Sequence, residues 1–155
     1  MAKVAVMGSG NGSQAMAADL TLKGHTVRLY ESENFISDTN TKYVFDNKEI
    51  ILEGRAGNGS TMISCVTSDI AEAVKDAEVI FLPLPSFTHD YYAEILADVV
   101  EDRQIIVLTP GNFGSLVFKK VFADKCVTAD VTFCETATLN YDARILEPGH
   151  VFVYD

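Results

Sequence analysis

The chain has 155 residues, 48% hydrophobic and 22% charged, with a formal net charge of −10. That length fits one domain of ordinary size, and the acidic balance sets nucleic acid and anionic membranes aside as partners, because long-range repulsion opposes the encounter. Its apolar residues come in short blocks, none near the ~20 needed to span a bilayer, so a soluble globular protein with small-molecule ligands is expected.

Met1-Ala2-Lys3 runs straight into Val4-Ala5-Val6, too abrupt a start for a signal peptide, which implies a cytoplasmic location. Lys3 to Met7 predicts a buried strand. After it come Gly8, Gly10 and Gly12, then a predicted helix from Asn11 to Lys23 with Ala15, Ala18 and Leu22 on one face and Lys23-Gly24 as a cationic last turn and cap. Thr26 to Glu31 predicts the second strand. In the stretch EIILEGRAGNGSTMISCVT two short strand patterns flank the glycine-rich loop Gly54 to Gly59, which predicts a β-hairpin inserted near 49–67. A phosphate cradle would need a strand before that loop and a helix after it, and the pattern supplies no such helix.

Farther on, Ala77 to Leu82 predicts a strand, Thr88 to Val100 a helix, Gln104 to Thr109 a strand and Ser115 to Phe122 a helix. Strands apolar almost throughout, separated by helices, imply a parallel sheet covered on both faces. VTADVTF and ARILEPGHVFVY add extra strands toward the C-terminus, the second folding back at Glu147-Pro148-Gly149-His150, a type II turn pattern. The expected fold is α/β, a Rossmann-type doubly wound and mainly parallel sheet, forming one dinucleotide-binding domain over residues 1–155. Cys65, Cys126 and Cys134 are odd in number and lack metal-ligand spacing, so three buried or semi-buried thiols are expected, with no disulfide framework and no metal site.

The glycines carry the functional reading. A pyrophosphate can lie against backbone only where no side chain intervenes, and a helix amino terminus offers it free N–H groups and a favourable dipole. Gly8 suits the tight turn, Gly10 the close approach, and the small Ser13 the third fingerprint position, with Ser9, Asn11 and Gly12 completing the loop. Glu31, at the carboxyl end of the second strand, stands where a carboxylate accepts hydrogen bonds from the adenosine ribose. It also repels a 2′-phosphate, and no Lys or Arg follows from Ser32 to Thr41, so NAD is expected over NADP.

Ligands of open α/β sheets lie beyond the carboxyl ends of the strands. LPLPSFTHD and TPGNFGS arrive there, placing Pro83, Ser86, Pro110, Gly111 and Asn112 toward the nicotinamide half. Ser86 or Thr88 is expected to cap the next helix, with Asp90 in its first turn. His89 is the one histidine weighed for catalysis, against its commoner role as a surface or capping residue; His25 and His150 read as surface residues.

These residues resemble a family. GSGNGSQAMAADLTLKGHTVRLYE, SDIAEAVKDAEVIFLPLPSFTHDYYAEILA, IIVLTPGNFGSLVFKKVF and CETATLNYDARILEPGHVFVY together look like the nucleotide-binding half of the opine dehydrogenases, a family that includes octopine and carboxyethyl-norvaline dehydrogenases. The resemblance implies a Rossmann-type domain followed by an all-helical domain, and reductive condensation of an amino acid with a 2-oxo acid using NAD(P)H. It also implies that the family's catalytic histidine and acidic partner lie in the helical domain, absent from these residues, so that this chain binds cofactor without turnover. Ser13 departs from the family's second glycine in the Gly-Asn-Gly-Gly run. Glycerol-3-phosphate dehydrogenases and ketopantoate reductases share the same first half. A stand-alone NAD-sensing or partner-binding module is the non-enzymatic alternative, and exposed apolar residues around the crevice imply a homodimer or other homo-oligomer.

Overall fold

A computed structural model describes residues 1–155. In chain order the first half contains β1 (Lys3–Met7), α1 (Asn11–Leu22), β2 (Thr26–Tyr30), α2 (Thr39–Asn47), β3 (Glu49–Gly54), β4 (Gly59–Met62) and β5 (Cys65–Thr67). The second half contains α3 (Ile70–Val74), β6 (Val79–Leu82), α4 (His89–Ala97), β7 (Ile105–Leu108), α5 (Gly114–Asp124), β8 (Thr132–Glu135), β9 (Ala143–Glu147) and β10 (His150–Val153). No helix is long and apolar enough to cross a membrane.

Six strands form the main sheet in the order β5-β2-β1-β6-β7-β8, with every neighbouring pair parallel. Numbered within that sheet alone the order is 3-2-1-4-5-6, the doubly wound arrangement of dinucleotide-binding folds, and its direction reverses between β1 and β6. Val4, Ala5, Val6 and Met7 are all buried because β1 is covered on both faces, which is why its sequence is apolar without alternation.

One face packs Val4, Val6, Val27 and Leu29 against Ala15, Ala17 and Ala18 of α1. The other packs Ala5, Met7, Ile80 and Leu82 against α3, α4 and α5. The small residues of α1 matter because the helix is covered a second time, by a four-stranded sheet ordered β4-β3-β10-β9. There β3 is antiparallel to β4, while β10 is parallel to β3 and antiparallel to β9. Ile50, Leu52, Val151 and Val153 point inward to α1, and Ile51 and Glu53 point out, the period-2 pattern of a half-buried sheet. Gly149 has φ +75°, as the third residue of a type II turn requires.

The hairpin forms, but only β3 and β4 belong to it. Cys65–Thr67 separates from it and becomes the edge of the main sheet beside β2. Neither α2 nor α3 was expected. Only Thr41 and Val44 of α2 are buried, too few for an apolar stripe, and the helix is fixed by its ends: the Asp38 carboxylate accepts the N–H groups of Asn40 and Thr41, and Lys48 closes it with φ +58°. α3 has five residues, too short to show a period, and starts on a similar Asp69 cap. Ala15 and Ala18 face the core as expected, whereas Leu22 is 41% exposed. Cys65 is half-buried, but Cys126 and Cys134 are exposed, because Cys126 follows the end of α5 and Cys134 lies on β8, the edge strand of the main sheet. His25 and His150 are half-buried; His25 Nδ1 accepts the Ala2 N–H at 3.2 Å and His150 Nε2 lies 3.3 Å from Glu53.

Candidate dinucleotide-binding site

β1 delivers the chain to Gly8, whose φ of +83° turns it sharply toward α1. Its N–H donates to the Tyr30 carbonyl at 2.8 Å, and the left-handed backbone is what demands glycine; a Cβ there would also press on the Leu84 Cδ2 methyl at 2.5 Å, which would have to swing aside. Gly10 is the N-cap of α1 and places no side chain over the helix start. A Cβ on Gly10 would meet no atom within 4 Å; it would stand in the open crevice that a ligand would enter. The first-turn N–H groups of α1 therefore face an open, uncapped space, the arrangement that binds a phosphate anion.

Ser13 does not obstruct this cradle. Its hydroxyl donates to the Met7 carbonyl at 3.0 Å inside the strand–helix packing, which fits the third small position of the fingerprint. The Gln14 amide donates to the Ser9 carbonyl at 3.0 Å and pins the loop from below. Sequence reasoning missed Gln14, since a buried glutamine on a small-residue helix face carries no signal of its own.

Glu31 closes the loop from the side. One carboxylate oxygen accepts the Ser9 N–H and the other the Ser32 N–H, both at 2.8 Å. Burial pushes its pKa up, the two backbone donors pull against that, and the Asp38 charge adds to the rise. Beside it lies a cavity of about 460 Å³ bordered by Gly8, Ser9, Gly10, Phe35, Phe87 and Tyr91. Its aromatic walls suit a flat heterocycle. A second cavity of about 590 Å³ is bordered by Gly12, Pro83, Ser86, Pro110, Asn112 and Arg144. Gly10, Leu84 and Phe87 border both, so the two form one crevice across the switch point between β1 and β6. The residues present fit a dinucleotide: an anion cradle at the centre, an aromatic recess beside Glu31, and an open recess on the other side.

Ser9, Gly10, Asn11, Gly12, Ser13, Glu31, Pro83, Ser86, Pro110 and Asn112 thus all border the crevice or its rim. Gly111 does not. It is turned toward β8, where a Cβ would lie 2.3 Å from the Glu135 carboxylate. That carboxylate accepts the Phe113 and Ser115 N–H groups at 3.0 and 2.7 Å, capping α5; burial alone would raise its pKa, but the Ser115 and Phe113 donors hold it below the ordinary value. Asn11 faces both ways, bordering the crevice while its side-chain oxygen accepts the Ile145 N–H at 2.8 Å. Arg144, missed in the sequence, reaches the crevice through that same junction. The expected caps of α4 are absent: neither Ser86 nor Thr88 caps the helix, and the Thr88 hydroxyl donates back to the Pro85 carbonyl at 2.7 Å. Asp90 does lie in the first turn.

His89 is neither a surface residue nor a cap. It is 2% exposed, its ring seated against Gly114, where a Cβ would lie 2.2 Å from Nδ1, and edge-on to Phe118. Its Nε2 is buried without a hydrogen-bond partner. Burial lowers its pKa, opposed by the Glu135 and Asp90 charges. It borders neither cavity, which removes the reason to assign it catalysis.

The strand order, glycine loop and crevice define a dinucleotide-binding domain. The chain belongs to the family described as NAD-dependent glycerol-3-phosphate dehydrogenase N-terminus, matched over residues 3–112. Within this class it is homologous to the opine dehydrogenases. It is 37% identical over 150 residues to an opine dehydrogenase of Arthrobacter sp. (strain 1C), covering 96% of this chain and 40% of that protein. With the octopine dehydrogenase of Pecten maximus it shares 28% over 153 residues, 95% of this chain and 38% of that one. It therefore spans about two fifths of these relatives' length. The structure of an octopine dehydrogenase in complex with NADH and agmatine superposes with a TM-score of 0.84 at 25% identity, over 99% of this chain and 39% of that one. A ketopantoate reductase from Ralstonia eutropha JMP134, at 16% identity and TM-score 0.72 over 99% of this chain and 46% of that one, shares the fold.

Proposed function

We propose that this chain is the NAD(H)-binding domain of an opine-dehydrogenase-like oxidoreductase, one that condenses an amino acid with a 2-oxo acid and reduces the resulting imine. The observation that carries the reading is the joined loop and carboxylate: Glu31 bonded to Ser9 at the mouth of the α1 cradle. A bound reduced nicotinamide supplies the hydride for such a reaction. The residues of this chain hold the dinucleotide: Gly10 and the α1 N–H groups receive the pyrophosphate, Glu31 the ribose hydroxyls, and Pro83, Ser86, Pro110 and Asn112 border the nicotinamide.

Turnover also needs a substrate held against the nicotinamide and a proton donor for the product nitrogen. On the nicotinamide side of the crevice the Tyr141 hydroxyl is engaged with Asp19 at 2.8 Å and Asp142 pairs with Arg144 at 3.5 Å, so cofactor binding without turnover is the expected behaviour of this chain alone. Phe87 and Leu139 are 85% and 61% exposed at the crevice, which supports a covering surface supplied from elsewhere. A glycerol-3-phosphate dehydrogenase-like parent is the second reading, favoured by the family matched over residues 3–112.

Calorimetric titration with NADH and NADPH tests the proposal; the absence of tryptophan makes intrinsic fluorescence a poor reporter. Saturable NADH binding with weaker NADPH binding is expected. If neither dinucleotide binds, the reading is wrong.

A further inference from the structure

Adjoining the aromatic recess, with which it shares Ser9, Glu31 and Phe35, lies a third cavity of about 330 Å³ bordered also by Asp38, Asn40 and Thr41. Glu31 borders this cavity as well as the aromatic recess, so a ribose held by Glu31 would bring its substituents to the mouth of both. The cavity is roomy enough for a phosphate, so size does not keep one out. No Lys, Arg or His borders it. The nearest cation along the chain, Lys42, is engaged with Asp46 at 2.8 Å one turn farther along α2. The N-terminus of α2, which would otherwise attract an anion, is occupied by the Asp38 carboxylate through the Asn40 and Thr41 N–H groups.

We propose that Asp38 is a second cofactor-selecting residue, which with Glu31 gives this recess two carboxylates that reject the 2′-phosphate of NADP(H) by charge rather than by shape. The proposal rests on the reading of the crevice as an NAD(H) site. Each Glu31 oxygen accepts one backbone N–H and keeps a lone pair for a ribose hydroxyl, while the two N–H groups held by Asp38 both lie on one of its oxygens. Asp38 is exposed and adds a charge that faces the recess from another element. For a phosphate carrying about 1.5 negative charges in a solvent-exposed recess, one facing carboxylate is expected to be worth about a tenfold change in affinity.

Calorimetry with NADH and NADPH on the wild-type chain and on Asp38→Asn tests it. Asparagine caps a helix as well as aspartate does, so α2 is retained while the charge is removed. The ratio of Kd for NADPH to Kd for NADH is expected to fall about tenfold in the variant. Between about 0.02 M and about 0.5 M salt, as the screening length shortens from about 20 Å to about 4 Å, the ratio is expected to narrow more in the wild type than in Asp38→Asn; if Asp38 were merely a structural cap, the two proteins would share one ratio and one salt dependence. A ratio unchanged within twofold in Asp38→Asn, with NADH still bound, overturns the assignment to Asp38 and leaves Glu31 as the selector. Failure of the wild type to bind NADH overturns the cofactor reading itself, and this proposal with it.

Discussion

Protonation of His89 is expected to loosen the whole domain. The ring sits between α4 and α5 among Gly114, Leu108 and Phe118, with Nε2 buried and unpartnered, and the charges nearest it are Glu135 and Asp90. Burial lowers its folded pKa below the value of about 6.5 in an unfolded chain, so in mild acid the unfolded chain binds the extra proton. The stability it contributes is full above about pH 6.5 and is lost as the pH falls through the window down to the folded value. Within that window the loss approaches about 1.4 kcal/mol per pH unit, and at about 2–4 °C per kcal/mol for a domain of this size, Tm should fall by up to about 3–6 °C per unit. Glutamine keeps a neutral polar group there and cannot titrate. Scanning calorimetry of the wild type and His89→Gln between pH 7.5 and about 5 separates this residue from His25 and His150, which both proteins share. The variant's profile should be flatter by that amount below about pH 6.5. Parallel profiles would mean that His89 titrates as it does in water and that its burial has no energetic consequence.

Gly8→Ala should cost about 2–5 kcal/mol, combining the left-handed backbone penalty with overpacking against Leu84, and should weaken NADH binding more than tenfold; a G8A chain with wild-type Tm would refute the tight-turn argument. Thiol titration should show Cys126 and Cys134, both exposed, reacting at once, while Cys65 lags until denaturant is added, because burial and the nearby Glu72 charge raise its pKa. Three equally fast thiols would contradict the placement of β5.

The unit β1–loop–α1–β2 could be read from the sequence because each of its steps has a local cause: an apolar run for a doubly covered strand, glycine where φ turns positive, small residues where a helix lies close to strands. Glu31 was legible for the same reason, since its place is fixed by the end of β2. What escaped notice was decided by distant partners. Nothing near His89 signals burial, which depends on Gly114 leaving room one helix later. Cys65–Thr67 looked like part of the hairpin because its own pattern cannot say whether β4 or β2 is its neighbour. Asn11 was rightly placed at the crevice, but its bond to Ile145 could not be foreseen, as the residues are 134 apart in sequence. Asp38 is an ordinary helix cap by pattern, and only the recess beside Glu31 gives it a second meaning.

The pairing of β10 with β3 has a consequence for how the protein is made. As the chain leaves the ribosome, the glycine loop and α1 emerge before β9 and β10, with Ala15, Ala17 and Ala18 able to settle on β1 and β2. The other side of α1 waits for Val151 and Val153, and its first turn waits for Ile145. Throughout that interval β3 presents an open backbone edge next to β4, the kind of edge that recruits a strand from any neighbouring chain. The cofactor cradle is thus synthesised well before the strands that complete it, so a translation pause before β9 would leave the β3 edge open.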